Sequence, residues 1–296
     1  MSPPHSEIDA VIERALAEDL GDAGDVTTHA TVPPGRPALA TFLAKEDGVL
    51  AGLAVAGRVF EAVERRLGGA TDVEWTHGDG DAVTAGTRFG AVRGPAHVIL
   101  TAERTALNLM QRMSGIATAT RRMVAATGGH ATLLDTRKTA PGLRVLDKWA
   151  VRLGGGTNHR TGLYDMVLVK DNHIAAAGGV AEAVAAARRW RAEHGPDLLI
   201  EIETRTLDEV DAVLAVGGVD RVLLDNMVEV HDGRVDVSRL AEAVRRIDGR
   251  FETEASGTVT LETVPAIART GVDFISSGAL THSVRALDLS LKVELA

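Results

Sequence analysis

LLIEIETRTLDEVDAVLAVGGVDRVLLDN, residues 198–226, is the stretch whose reading decides the fold. Residues 198–202 and 221–224 are short apolar runs, and the segment near 206–216 between them reads as a helix. A strand, a helix and a second strand joined this tightly make a crossover unit, which lays its two strands parallel. A polar group follows each strand: Glu203 after the first, Asp225 and Asn226 after the second. Glu201 and Glu203 share one strand face by the period of two; Glu203, nearer the strand end, is the better functional candidate and Glu201 reads equally as structural.

The same alternation runs outward in both directions. Strands are expected at 131–134, 166–169, 251–254 and 273–276, with helices near 143–153, 180–194, 235–248 and 260–270, all after a long helical stretch from Ala96 to about Thr127. Sequential units of this kind fit either a (β/α) barrel or a doubly wound sheet. Their polar ends decide between the two. Asp135, Arg137 and Lys138, then Lys170, Asp171 and Asn172, then Ser256 and Gly257, then Ser277 and Gly278 all sit at or just past strand C-termini. In a barrel those ends converge on one mouth, where such folds carry their chemistry.

The N-terminal part differs in character. Ser6 with Asp9 reads as a capping-box variant opening a helix through Leu20. From Asp25 to Gly94, strand-like runs at 38–44, 71–75 and 87–92 surround one helix near 55–67, a small α+β unit. The expected fold class is therefore α/β: a C-terminal (β/α) barrel, residues 116–279, with an N-terminal open-faced α+β sandwich, residues 1–115, joined by residues 280–296.

Composition excludes several functions. The net charge of −9 and an aromatic share of 3% in 296 residues speak against nucleic-acid binding. The absence of cysteine removes disulfides, thiolate metal sites and a cysteine nucleophile. No apolar run approaches the roughly 20 residues a membrane span needs, and the N-terminus lacks a secretory pattern, so a cytoplasmic protein is expected.

Against this acidic background, residues 135–173 carry seven cations and four aspartates. Three of the chain's five lysines, Lys138, Lys148 and Lys170, lie there beside arginines. An ammonium and a guanidinium meet anions differently, so the mixture implies a multiply anionic small-molecule ligand. A solvated loop at 135–144, a glycine-rich helix cap at 154–160 and a helix-capping role for Asp225 are the plainer alternatives. Ser256-Gly257-Thr258 and Ser276-Ser277-Gly278 each precede an expected helical turn, an arrangement that holds phosphate through backbone N–H groups.

AERTALNLMQRMSGIAT (102–118), DTRKTAPGLR (135–144), GGGTNHRTGLYDMVLVKDNHI (154–174), IEIE, LLDNM, EASG and GVDFISSGALTHS (271–283) together resemble quinolinate phosphoribosyltransferase over essentially the whole chain. The resemblance implies an N-terminal sandwich, a C-terminal barrel, and a last strand, DLSLKVEL, that returns to the first domain. It implies a transferase of NAD biosynthesis that takes quinolinate and phosphoribosyl pyrophosphate to nicotinate mononucleotide, pyrophosphate and CO2, accompanied by Mg2+. A homodimer or hexamer with shared active sites is implied as well. By position, Arg137, His159 and Arg160 resemble the quinolinate carboxylate pocket, with Arg104 reaching in from a partner subunit. Lys138 and Lys170 resemble the pyrophosphate and substrate lysines, and Glu203 and Asp225 the ribose-hydroxyl and metal-side acids. Ser256, Thr258, Gly278 and His282 fall where the family holds the 5′-phosphate, Thr258 standing where a second glycine is usual. A transport-associated paralogue and a non-catalytic anion binder are the competing readings; the full cationic set with Glu203 and Asp225 argues against both.

Overall fold

A computed structural model describes residues 2–295, which form two compact units. The first takes in the chain up to Arg121, residues Thr139–Gly155 and the stretch from Thr281 onward; the second takes in Arg122–Lys138 and Gly156–Leu280.

The first unit is built on a four-stranded antiparallel sheet, ordered Leu289–Leu295, Pro37–Ala44, Arg88–Pro95, Asp72–Trp75. The C-terminal strand returns as expected, Ala44 pairing with Leu289 and Ala40 with Val293. Along Pro37–Ala44 the residues Ala38, Ala40, Phe42 and Ala44 are buried while their neighbours are only half-covered, the signature of a sheet covered on one face. The covering helix, Leu53–Leu67, buries Val55, Ala56, Val59, Phe60 and Val63. Phe42 packs edge-on against Phe60 at 6.3 Å and against Trp75 at 4.7 Å between ring centroids. Each such fully buried side chain contributes on the order of 1.5–3 kcal/mol of burial free energy.

The first helix runs His5–Leu20, but Ser6 and Asp9 do not form a capping box. Asp9 instead accepts both Nε and Nη2 of Arg58 at 2.7 and 2.6 Å, a forked, charge-assisted pair stronger than a neutral cap. Helix Arg144–Leu153, expected among the barrel helices, groups with this unit, where Arg112 clasps the fully buried Asp147 through two bonds of 2.8 Å.

The second unit holds a six-stranded parallel sheet ordered Thr132–Leu134, Phe274–Ser276, Glu252–Ser256, Arg221–Asp225, Ile200–Thr204, Val167–Val169. Among the described residues no ladder joins the two edge strands; Leu134 bridges Thr157 instead. The sheet is thus barrel-like, and its parallel registers align the strand ends: Ser256 lies opposite Asp225, and Glu203 opposite Leu223. Helices Val180–His194, Leu207–Val216 and Ser238–Ile247 accompany it. The Leu207–Val216 helix has a true capping box, Thr206 with Glu209.

Two expected helices are shorter than the sequence reading. The one near 235–248 starts only at Ser238, because Glu229–His231 and Arg234–Asp236 form a hairpin before it. The one near 260–270 is Val264–Ala268, since Thr260 and Thr263 bond to each other and Thr263 Oγ1 donates to the Thr258 carbonyl, holding a turn. Ser256-Gly257-Thr258 therefore does not run directly into a helix. Gly278 does precede one, the short Ala279–His282 turn. Helices Val26–Thr31 and Asp171–Ala177 were not expected.

Candidate active site

The strand ends of the second unit enclose a cavity of about 510 Å3. Arg137 and Lys138 reach it from the loop after Thr132–Leu134, and His159 and Arg160 from the loop after Thr157. Lys170, Glu203, Asp225 and Ser256 come from successive strand ends. The cavity thus gathers eight of the expected residues, and Arg205, Asn226 and Gly257 besides. Thr258 and Gly278 belong to the same unit outside its lining, whereas Arg104 and His282 belong to the first unit, Arg104 exposed on the Ala96–Ala126 helix.

The cationic wall is held from behind. Asp135, fully buried, accepts Nδ2 of Asn158 at 2.6 Å and the amide N–H of His159 at 2.9 Å. Backbone bonds between Asp135 and Thr157 and between Thr157 and Leu133 fasten the same loop to the first barrel strand. His159 Nε2 lies 2.9 Å from Glu201 and 3.3 Å from Glu254, both fully buried, and Arg221 pairs Glu254 at 3.2 Å while stacking over Phe274. Glu201 therefore does structural work, as one of its two readings had it.

The surroundings of His159 act on its charge in opposite directions. Burial alone would depress its pKa, but the hydrogen bonds to Glu201 and Glu254 push it up to about 9. Yet the Arg160 amide N–H is directed at Nδ1 at 2.8 Å, and a nitrogen that accepts carries no proton. We assign the neutral Nε2–H tautomer, with the carboxylates strengthening the Nε2–H bond. Both ring nitrogens then serve the protein, leaving Arg137 and Arg160 as the guanidiniums of this wall. Burial, then the neighbouring Arg137, lowers the pKa of Arg160, so the two cations sit close enough to feel each other's charge.

The opposite wall is acidic. Burial and then Glu203 hold the Asp225 carboxyl above the usual range. Lys170 lies one residue past its strand and its side chain is about half exposed, not buried as its sequence position implied. It meets Glu203 at 3.1 Å. Sequence reasoning missed Arg205, which touches three carboxylates: Asp171 at 2.7 Å, Glu203 at 2.9 Å and Asp225 at 3.4 Å. Its position two residues after Glu203, at the same strand end, was the available signal. Lysine retention does not by itself mark the site: Lys138 and Lys170 line the cavity, but Lys148 is buried in a helix of the first unit.

Fold and cavity together define a barrel enzyme arranged for a multiply anionic substrate. Residues 25–114 match the N-terminal domain of quinolinate phosphoribosyl transferase and residues 116–292 its C-terminal domain, and the chain belongs to this family. It is 54% identical to the chloroplastic nicotinate-nucleotide pyrophosphorylase (carboxylating) of Arabidopsis thaliana over 99% of this chain and 84% of that protein. A probable enzyme of the same name from Synechocystis is 43% identical over 98% of this chain and 94% of its own. The solved structure of the Francisella tularensis nicotinate-nucleotide pyrophosphorylase superimposes with a TM-score of 0.88 at 37% identity, covering 99% of this chain and 98% of that one.

Proposed function

We propose that this chain transfers the phosphoribosyl group of phosphoribosyl pyrophosphate to the ring nitrogen of quinolinate, with loss of CO2, giving nicotinate mononucleotide and pyrophosphate for NAD biosynthesis. The observation that carries this reading is the pairing of two guanidiniums, Arg137 and Arg160, across one cavity from Glu203 and Asp225. Each guanidinium matches one carboxylate of a pyridine dicarboxylate through parallel N–H donors. Lys138 and Lys170 supply compact charge to the departing pyrophosphate. Departure leaves an oxocarbenium-like ribose, which carboxylates at Glu203 and Asp225 stabilise and whose hydroxyls they accept. Ser256, Thr258 and Gly278, all in the second unit, are assigned to the 5′-phosphate. Once ribosylated, the ring nitrogen is positive and stabilises the carbanion that loss of CO2 leaves at C2; that electron pair then takes a proton from water to give nicotinate mononucleotide, so no separate electron-accepting cofactor is needed.

Mg2+ belongs to the proposal. Glu203 and Asp225 offer hard oxygen donors, and the cation Arg205 already drawn to them indicates a donor set suited to positive charge. Glu203 and Asp225 would hold Mg2+, and the charge it would supply is compensation for the leaving pyrophosphate.

Nicotinate mononucleotide formation from quinolinate and phosphoribosyl pyrophosphate tests the assignment. Nicotinate, with one carboxylate, leaves a guanidinium unpaired, so its kcat/KM is expected to be lower by about 1,000-fold or more. Comparable turnover of the two acids would overturn the reading.

No helix among the described residues is long and apolar enough to cross a membrane. A cytoplasmic setting and a homodimer or hexamer with shared sites complete the proposal. Arg104, exposed on a helix of the first unit, is assigned to a neighbouring subunit's cavity. Mixing Arg104→Ala with Lys170→Ala subunits is expected to restore activity, because one site of the hybrid then keeps both side chains. Failure to complement despite demonstrated subunit exchange would remove the sharing.

A further inference from the structure

Arg205 has no role in the reaction as set out above, yet it occupies the middle of the acidic wall. Its Nη1 lies 2.7 Å from Asp171, its Nη2 2.9 Å from Glu203 and its Nε 3.4 Å from Asp225. Three carboxylates from three strand ends thus converge on one guanidinium. Lys170 takes the second oxygen of Glu203 at 3.1 Å, so both oxygens of that carboxylate are committed. On Asp225 it is Oδ2 that is engaged, shared between Arg205 and the Asn226 side chain, which donates to it at 2.8 Å.

The anchoring of Arg205 is asymmetric. Its backbone is fixed, since its N–H donates to Glu209 of the capping box that starts the Leu207–Val216 helix. Its side chain is about half exposed, while Glu203 is nearly covered and Asp225 mostly so. The part that can move is the long side chain; the acids cannot follow it. Asp171, itself about half exposed, is the partner that can travel or remain with it.

We propose that Arg205 is a displaceable counter-cation: in the free protein it covers Glu203 and Asp225 against bare divalent metal, and it yields them, keeping Asp171, when metal arrives together with the polyanionic diphosphate substrate. This rests on the assignment of Glu203 and Asp225 as the metal-side acids. The chemistry follows from charge. A hydrated divalent cation alone must expel a guanidinium that three carboxylates hold, into a mouth already rich in Arg137, Lys138 and Arg160. A metal–diphosphate complex brings its own negative charge, to which those cations are complementary, so it can displace Arg205 where bare metal cannot. Arg205 in this way sets the order of arrival and keeps the acids from loading metal without substrate.

The test needs no turnover. Free protein, without quinolinate or phosphoribosyl pyrophosphate, is titrated with Mn2+ and the unbound aquo ion is read by electron paramagnetic resonance. A site that is open only when Arg205 leaves has its affinity reduced by the open fraction, so Arg205→Met is expected to bind Mn2+ about tenfold or more tightly than the parent. Adding Glu203→Gln to Arg205→Met should abolish the gain, tying it to these acids. Arg205→Lys, which keeps the charge and the hydrophilic surface, should stay within a few-fold of the parent and serves if the methionine variant does not fold, being then compared with Arg205→Gln. Equal Mn2+ affinity in the parent and a folded charge-removing variant would overturn the proposal, as would a gain that survives Glu203→Gln. Neither result depends on the quinolinate assay, so failure of the assigned reaction and failure of this role are separable.

Discussion

Gly257→Ala is expected to lose about 100-fold or more in kcat/KM for phosphoribosyl pyrophosphate, the scale on which a misplacement of about 1 Å acts. The reason lies in two adjoining loops. Gly257 has φ +85°, and a Cβ built on it would lie 2.1 Å from Oδ1 and 3.0 Å from the backbone N of Asn226. Asn226 cannot retreat cheaply. Its own φ is +55°, its N–H donates to the Ser256 carbonyl at 2.9 Å, and its side chain holds Asp225. A methyl group at 257 therefore pushes on the residue that orients Asp225 while displacing Ser256, and both line the cavity. The next residue makes the contrast. Thr258 has φ +54°, a conformation that is a real outlier for a β-branched side chain. The position is one where the resembled family usually has glycine, and Thr258→Gly should relieve about 1 kcal/mol, raising the melting temperature with activity within about twofold. The pair is measured together: a parent-like kcat/KM in Gly257→Ala, or destabilisation by Thr258→Gly, would show that the loop does not bear on the site as described.

These loops also show how far the residues alone could be read. The parallel strands were legible because strands covered on both faces read as continuous apolar runs, and each was placed to within two residues. The errors share a direction and a cause. The run at 198–202 is the strand Ile200–Thr204, since Glu203 and Thr204 are polar but buried, one facing the cavity and the other bonded to the Leu223 carbonyl. An apolar count ends a strand where the chemistry begins. Arg205 was missed for a related reason: with Glu203 assigned as the group of that strand end, the residue two positions on received no role. Lys170 follows an apolar strand yet its side chain is about half exposed, because the Asp171–Ala177 helix starts immediately after it and the strand gives it no further cover. His159 was legible as a site residue, but not that its nitrogens face Glu201 and the Arg160 amide, because a partner 42 residues away leaves no local mark.

Asp135→Ala is expected to cost about 100-fold in kcat/KM for quinolinate while leaving KM for phosphoribosyl pyrophosphate within about threefold, again through misplacement. Asp135 touches no substrate in the proposed reaction and is fully buried. Its two oxygens accept from the Asn158 side chain and from the His159 amide. Truncation removes the acceptor of both bonds, and a buried donor that loses its acceptor costs about 1–3 kcal/mol, a cost the loop relieves by swinging its polar groups toward water. Arg160 follows, since its amide is fastened to His159 and through it to Glu201 and Glu254. Arg137, two residues beyond Asp135 on the other side of the same corner, loses its register with Arg160, and the two guanidiniums no longer match two carboxylates at once. Asp135→Asn separates this from simple loss of charge: it keeps an acceptor for the His159 amide, and the Asn158 amide can turn to offer oxygen, so most of the quinolinate kcat/KM should return. If folded Asp135→Ala kept its quinolinate kcat/KM within about threefold, or if both substrates weakened equally, the loop would not be what sets the spacing of Arg137 and Arg160.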